Sequence, residues 1–81
     1  MPAIRAGRWR LVIIPRDHYP RHVHARLGTG KAPAAVIEFH LDGTLSVREF
    51  DHGLSRSDMR QVIEIVDSHL AELIELWERY R

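Results

Sequence analysis

Eighty-one residues, 44% of them hydrophobic and 28% charged, describe one domain over 1–81 with apolar material for a single small core. The absence of cysteine excludes a disulfide framework and any thiolate zinc site, and no apolar run approaches the roughly 20 residues of a membrane span. The net charge of +1 hides a division: residues 1–31 carry seven Arg and Lys against one Asp, and residues 32–81 carry five Arg against ten acids.

Eleven of the twelve cations are arginine, the residue suited to bidentate contact with phosphate or carboxylate. The N-terminal half would therefore face an anion such as RNA or an acidic partner surface, or else complement the acidic half within the fold. Met1 leads into Arg5-Ala6-Gly7-Arg8 with no signal-peptide core, so a soluble cytoplasmic protein is expected, with no membrane contact.

Taken in order, Arg8-Trp9-Arg10-Leu11-Val12-Ile13-Ile14 reads as a β-branched and aromatic strand ended by Pro15. A loop carrying Arg16, Asp17, His18 and Pro20 feeds a second strand over 22–27. Residues 28–33 hold two glycines and a proline, a connection that lacks the GxxxxGK[ST] spacing of a phosphate-binding loop. Further strands are expected over 34–41 and 45–50, turned by Asp42-Gly43. Hydrophobic register favours three loop residues, Asp42-Gly43-Thr44, which would pair Leu41 with Leu45, Phe39 with Val47 and Glu38 with Arg48.

Side chains alternate along a strand, so this facing yields two surfaces. One collects Trp9, Leu11, Ile13, Val23, Ala25, Leu27, Ile37, Phe39, Leu41, Leu45 and Val47. The other collects Arg8, Arg10, His22, His24, Arg26, Glu38, His40, Ser46 and Arg48. An antiparallel sheet covered on one side produces this division.

The cover is the C-terminal segment. Ser55 is placed to cap a helix with Asp58 three residues on. Met59, Val62, Ile63, Val66, Leu70, Leu73, Ile74 and Trp77 then recur at helical spacing. One helix over 56–80 would be about 38 Å long at 1.5 Å per residue, longer than the roughly 20 Å of a typical strand. Either the helix breaks or its free end packs on another chain. Ile65, Leu76, Trp77 and Tyr80 are accordingly expected at the interface of a homodimer or of a partner protein. The fold class is α+β, a two-layer sandwich of about four antiparallel strands (8–14, 22–27, 34–41, 45–50) under one long helix (56–80).

The densest chemistry is Pro15-Arg16-Asp17-His18-Tyr19-Pro20-Arg21-His22-Val23-His24, three of six histidines within ten residues. His22 and His24 share one strand face beside arginines, an arrangement suited to proton transfer, phosphate binding or metal ligation. Pro20-Arg21-His22-Val23-His24, Gly53-Leu54-Ser55 and Leu73-Ile74-Glu75-Leu76-Trp77 together resemble one family of small bacterial proteins, the domain of unknown function 4160. Its pattern has a second proline where Arg21 stands and differs at Ala25. The resemblance implies a cytosolic protein, often encoded beside a second small protein and in some cases carrying a toxin–antitoxin label. It marks His22 and His24 as positions of interest and carries no settled activity.

Three readings follow. In the first, the chain is one component of a two-protein, toxin–antitoxin-like module and acts by binding its small protein partner, with a His/Arg-rich open sheet face. In the second it is a metal-independent ribonuclease toxin. His22 and His24 are then the acid–base pair, His18 and Arg21 assist, and Arg16, Arg26, His40 and Arg48 hold RNA phosphate. In the third, His-X-His ligates a metal, with His18, His40 or Asp17 as a third ligand. No cofactor is expected, and His22 and His24 are the only weak candidates for a metal.

Overall fold

A computed structural model describes residues 2–28 and 33–81. Five strands form one antiparallel meander, β1 (Ala3–Ala6), β2 (Trp9–Val12), β3 (His22–Leu27), β4 (Ala35–Phe39) and β5 (Leu45–Phe50), hydrogen-bonded in the order β1-β2-β3-β4-β5. Two helices follow, α1 (Arg56–Ser68) and α2 (Leu70–Tyr80). The α+β class expected from the sequence is present, with one more strand and one more helix than expected. Most of the connection over 28–33 lies outside the described residues.

The additional strand is β1, which pairs with β2 from Ala3↔Val12 to Ala6↔Trp9 across the two-residue turn Gly7-Arg8. Gly7 has φ +60°, the positive value that a tight hairpin turn demands at its first central residue and that glycine adopts without steric cost. Ile4 sits opposite Leu11 and joins the core. The predicted first strand over 8–14 is therefore the second and shorter.

The expected single helix is broken at His69. Both the His69 amide (3.1 Å) and its ring Nδ1 (2.9 Å) approach the Ile65 carbonyl, and the Ser68 hydroxyl donates to the same oxygen at 3.0 Å. Side chains that compete for a helical carbonyl bend or end the helix. His69 leaves helical geometry at φ −108°, ψ 16°, and the His69 carbonyl then accepts from Leu73 to start α2. Two segments of 13 and 11 residues are each about 16–20 Å long, matched to the strands beneath. The length mismatch is thus relieved inside the chain.

The core lies between sheet and helices. Trp9, Leu11, Ile13, Val23, Ala25, Ala35, Ile37 and Phe39 meet Val62, Val66, Leu73 and Trp77. Two residues placed on this face by the sequence are not covered: Leu41 is 65% exposed and Val47 42%. The β4–β5 turn explains Leu41. The register is Phe39↔Leu45, Glu38↔Ser46 and Ile37↔Val47, so the three turn residues are Leu41-Asp42-Gly43, one earlier than expected. The shift keeps the expected facing of Phe39 and Leu45 while lifting Leu41 out of the sheet. Glu38 then faces Ser46, and Arg48 reaches it only diagonally, Nε to Oε2 at 3.8 Å. Val36 pairs with Glu49, leaving Arg48 as an extra residue in a bulge. Val47 is exposed because β5 is the sheet edge; none of its residues is fully buried.

Ser55 caps α1 as expected, its hydroxyl accepting from the Asp58 amide while the Asp58 carboxylate accepts from the Ser55 amide. Asp58 also pairs with the Arg8 guanidinium. Arg8 therefore turns toward the helix instead of joining the opposite face. The Arg8 bond, followed by the Ser55 amide, holds the Asp58 carboxyl below the ordinary aspartate value. A carboxylate with a lowered folded pKa stabilises the fold above its unfolded value, and that contribution disappears as pH falls through the folded value. Asp58→Asn should therefore be less stable than the parent at neutral pH, with the difference closing below the ordinary carboxylate range. Urea melts at pH 7 and pH 3 check this; a difference independent of pH would contradict it.

Candidate functional site: a histidine–aspartate–histidine cluster

Residues 13–21 run from β2 to β3 across the end of the sheet and are tied to α2. The Arg16 amide donates to the Tyr80 carbonyl at 2.9 Å, and Arg21 pairs with Glu78 at 3.3 Å. The Tyr19 ring lies edge-on to Trp77 with centroids 5.7 Å apart, and the Arg21 guanidinium sits 5.2 Å above Tyr19. This anchoring carries Asp17 over the start of β3, where His22 and His24 emerge.

The Asp17 carboxylate divides its oxygens. Oδ1 accepts from the His18 amide at 2.9 Å, whereas Oδ2 faces His22 Nε2 at 2.8 Å and His24 Nε2 at 3.4 Å. Partial burial pushes the Asp17 carboxyl up, but hydrogen bonds from the His18 amide, His24 and His22, with the charge of His22, more than offset it and leave the net shift downward. The carboxylate is thus held in its ionised form.

His22 does not lie on an open face. It is 4% exposed, with its ring 5.2 Å from that of His24 and 5.3 Å from that of Trp77. The loop to β3 and α2 cover it, a tertiary arrangement that strand alternation does not reveal. Its Nδ1 is 2.7 Å from the Pro20 carbonyl oxygen, which requires a proton on Nδ1. In neutral His22 the Nε2 would then present a lone pair to a carboxylate oxygen 2.8 Å away. Two acceptors at that distance need positive charge between them, supplied by a second ring proton or by a metal ion. A histidine that donates one ring N–H to a backbone carbonyl and offers the other nitrogen is the usual form of a metal-ligating imidazole.

The three ligand atoms of Asp17, His22 and His24 lie within 4.8 Å of one another. Ligands about 2.0–2.2 Å from one cation are separated by roughly 2.8–3.6 Å, depending on whether the geometry is octahedral or tetrahedral. The 2.8 and 3.4 Å separations at Oδ2 fall in that range. A divalent cation would fit once the His22 and His24 nitrogens, within 4.8 Å of each other, close on it and the direct Asp17–His22 contact opens.

The other sequence candidates disperse. His18 is exposed and contributes its amide to Asp17. Arg21 is engaged by Glu78 and Tyr19, and Arg16 is exposed in the loop with φ +62°. His40 is placed by the β4–β5 turn, where its amide donates to the Thr44 carbonyl, and Arg48 lies in the edge-strand bulge. Arg26 stays beside the cluster, two residues along β3 from His24. Among the residues expected at a partner interface, Trp77 is 1% exposed and belongs to the core, and Ile65 and Leu76 pack against that core. Tyr80 remains exposed.

The fold and this cluster define a small α+β domain whose third strand contributes two histidines to a carboxylate-centred site. The chain belongs to the family described as a domain of unknown function (DUF4160), whose model matches residues 9–78. No curated protein matches the chain, and no solved structure matches it. Among the described residues, no helix is long and apolar enough to cross a membrane.

Proposed function

We propose that the chain is a metal-binding protein in which Asp17, His22 and His24 hold one divalent first-row cation, zinc being the best fit to two imidazoles and a carboxylate. The observation that carries this reading is His22. One ring nitrogen is committed to the Pro20 carbonyl, and the other is aimed at Asp17 Oδ2 with His24 beside it. Three protein ligands leave a further position for a substrate oxygen or water, the pattern of catalytic rather than structural zinc sites. A cation there would act as a Lewis acid.

The same geometry weakens a metal-free acid–base pair, because His22 is buried with both ring nitrogens engaged and only His24 remains accessible. Equilibrium dialysis of chelator-stripped protein against zinc should give one ion per chain. Asp17→Ala and His24→Ala should each weaken binding by at least tenfold, in line with loss of one of three ligands, while His40→Ala leaves it unchanged. Binding that is unaffected by Asp17→Ala would overturn the assignment.

A second reading, binding of a small protein partner as in a two-protein toxin–antitoxin-like module, is supported by a different surface. The edge strand β5 presents Val47 and Phe50 at 42% and 50% exposure, with Leu41 exposed at the adjoining turn. An uncovered apolar edge is a template for strand addition by another protein. Val47→Lys should abolish co-purification with a small protein encoded beside this one, and unchanged recovery would remove the edge strand from the account.

A further inference from the structure

The face of the sheet that carries His24 also carries a straight row of arginines. Arg5 is directly opposite Arg10, and Arg10 is directly opposite Arg26, so one guanidinium from each of β1, β2 and β3 projects on the same side. Strands lie about 4.8 Å apart, which spreads the three positions over about 10 Å. Like charges facing each other across strands are destabilising, and an anion brought to the row would offset that cost. None of the salt bridges among the described residues uses Arg5 or Arg26.

Two details concern the guanidinium groups of the row. The Arg10 Nε donates to the Gly28 carbonyl at 3.1 Å, which fixes the direction of the central guanidinium. The Arg26 Nε is removed from solvent and has no hydrogen-bond acceptor among the described residues. A buried guanidinium N–H without an acceptor is costly, and a turn of the Arg26 side chain toward solvent would let a phosphate oxygen satisfy it. Next to the row on the same face runs Ala3↔Val12↔His24↔Val36, which sets His24 one row away from Arg26.

We infer that Arg5, Arg10 and Arg26 form a binding row for the phosphodiester backbone of single-stranded RNA, laid across the sheet so that one phosphate reaches the His24 side. The placement of that phosphate next to a cation rests on the metal-site reading; the binding itself does not. A linear, evenly spaced set of cations on a sheet face matches a linear polyanion. Nothing in the row offers an aromatic platform for bases, so binding is insensitive to sequence and depends on charge. A membrane headgroup surface is disfavoured because the exposed large hydrophobics, Tyr19, Leu41, Val47, Phe50 and Tyr80, all lie off the row.

Fluorescence anisotropy with a labelled twelve-nucleotide RNA, in EDTA, tests the row without any metal. Wild type should bind with a log–log salt slope of about −2, as three phosphate contacts on a single strand imply. Arg26→Gln should reduce affinity roughly tenfold and flatten the slope by about 0.7, the share of one phosphate contact. The Arg5→Gln/Arg10→Gln/Arg26→Gln triple variant should lose binding while retaining the parent's far-UV circular dichroism. Arg48→Gln, outside the row, should bind as the parent does. Absence of RNA binding, equal losses from Arg48→Gln and Arg26→Gln, or binding of poly-glutamate in place of RNA would each overturn the inference. RNA binding by a parent protein that takes up no zinc would support the row and locate the failure in the metal-site reading alone.

Discussion

Trp77→Ala should destabilise the domain by about 3–5 kcal/mol, the usual consequence of truncating a buried aromatic side chain. The indole is 1% exposed and meets Phe39, Tyr19 and His22 at ring-centroid distances of 6.3, 5.7 and 5.3 Å. A domain of this length has a total stability of roughly 4–12 kcal/mol, so the variant should sit near or below the threshold of folding. Urea denaturation followed by far-UV circular dichroism reads the change. Tyr80→Ala, three residues along and exposed, should cost less than about 1 kcal/mol, as surface substitutions do. The contrast separates two accounts of the C-terminal segment: an interface residue would leave the isolated chain as stable as before. Because Trp77 also lies against His22, its loss should loosen the proposed metal site, and weakened zinc binding in any folded fraction is expected.

Zinc should raise the melting temperature of chelator-stripped protein, since a ligand bound only by the native state stabilises it by about 2.7 kcal/mol at one hundred times its dissociation constant. For a chain of this size that corresponds to a shift of roughly 10 °C or more. Asp17→Ala should abolish the shift. Differential scanning calorimetry with and without EDTA gives both numbers. An equal zinc response in Asp17→Ala would place the ion elsewhere, and no response in either protein would leave the Asp17–His22 contact as a charged hydrogen bond only.

Much of the sheet was legible because strands with one covered face must alternate. His22–Leu27 and Leu45–Phe50 were delimited directly, and because the β4–β5 register moved by two positions Phe39 and Leu45 stayed on one face, although Phe39 pairs with Leu45 and not with Val47. β1 was not legible: Ala3-Ile4-Arg5-Ala6 has a single large apolar residue, and only Gly7 signals the hairpin. The helix break left no glycine or proline to find. Apolar spacing runs through it from Val66 to Leu70 and Leu73, and the cause is a local contest of Ser68 and His69 for one carbonyl. The strain of one overlong helix was visible, but its resolution within the chain was not.

The site was half legible. The His-Val-His spacing singled out two of the three clustered groups, and Asp17 was one of three candidates for the third, beside His18 and His40. What selected Asp17 over His18 was the anchoring of residues 16–21 on α2, through the Tyr80 carbonyl, Trp77 and Glu78. Those contacts join positions about sixty apart in sequence, where local pattern has no reach. The burial of His22 follows from the same anchoring. The arginine row escaped notice for a different reason. Arg10 and Arg26 were assigned to one face, but Arg5 entered only with β1, whose pairing completes the row.

The central claim is that Asp17, His22 and His24 enclose a single divalent cation. The most direct measurement is an anomalous difference map from crystals grown with equimolar zinc, with data collected on both sides of the zinc absorption edge. The account predicts one strong peak about 2.0–2.2 Å from His22 Nε2, His24 Nε2 and an Asp17 carboxylate oxygen, with the His22 Nδ1 contact to Pro20 retained. An Asp17–His22 hydrogen bond left closed, with zinc at His52, at His69 or nowhere, would contradict it.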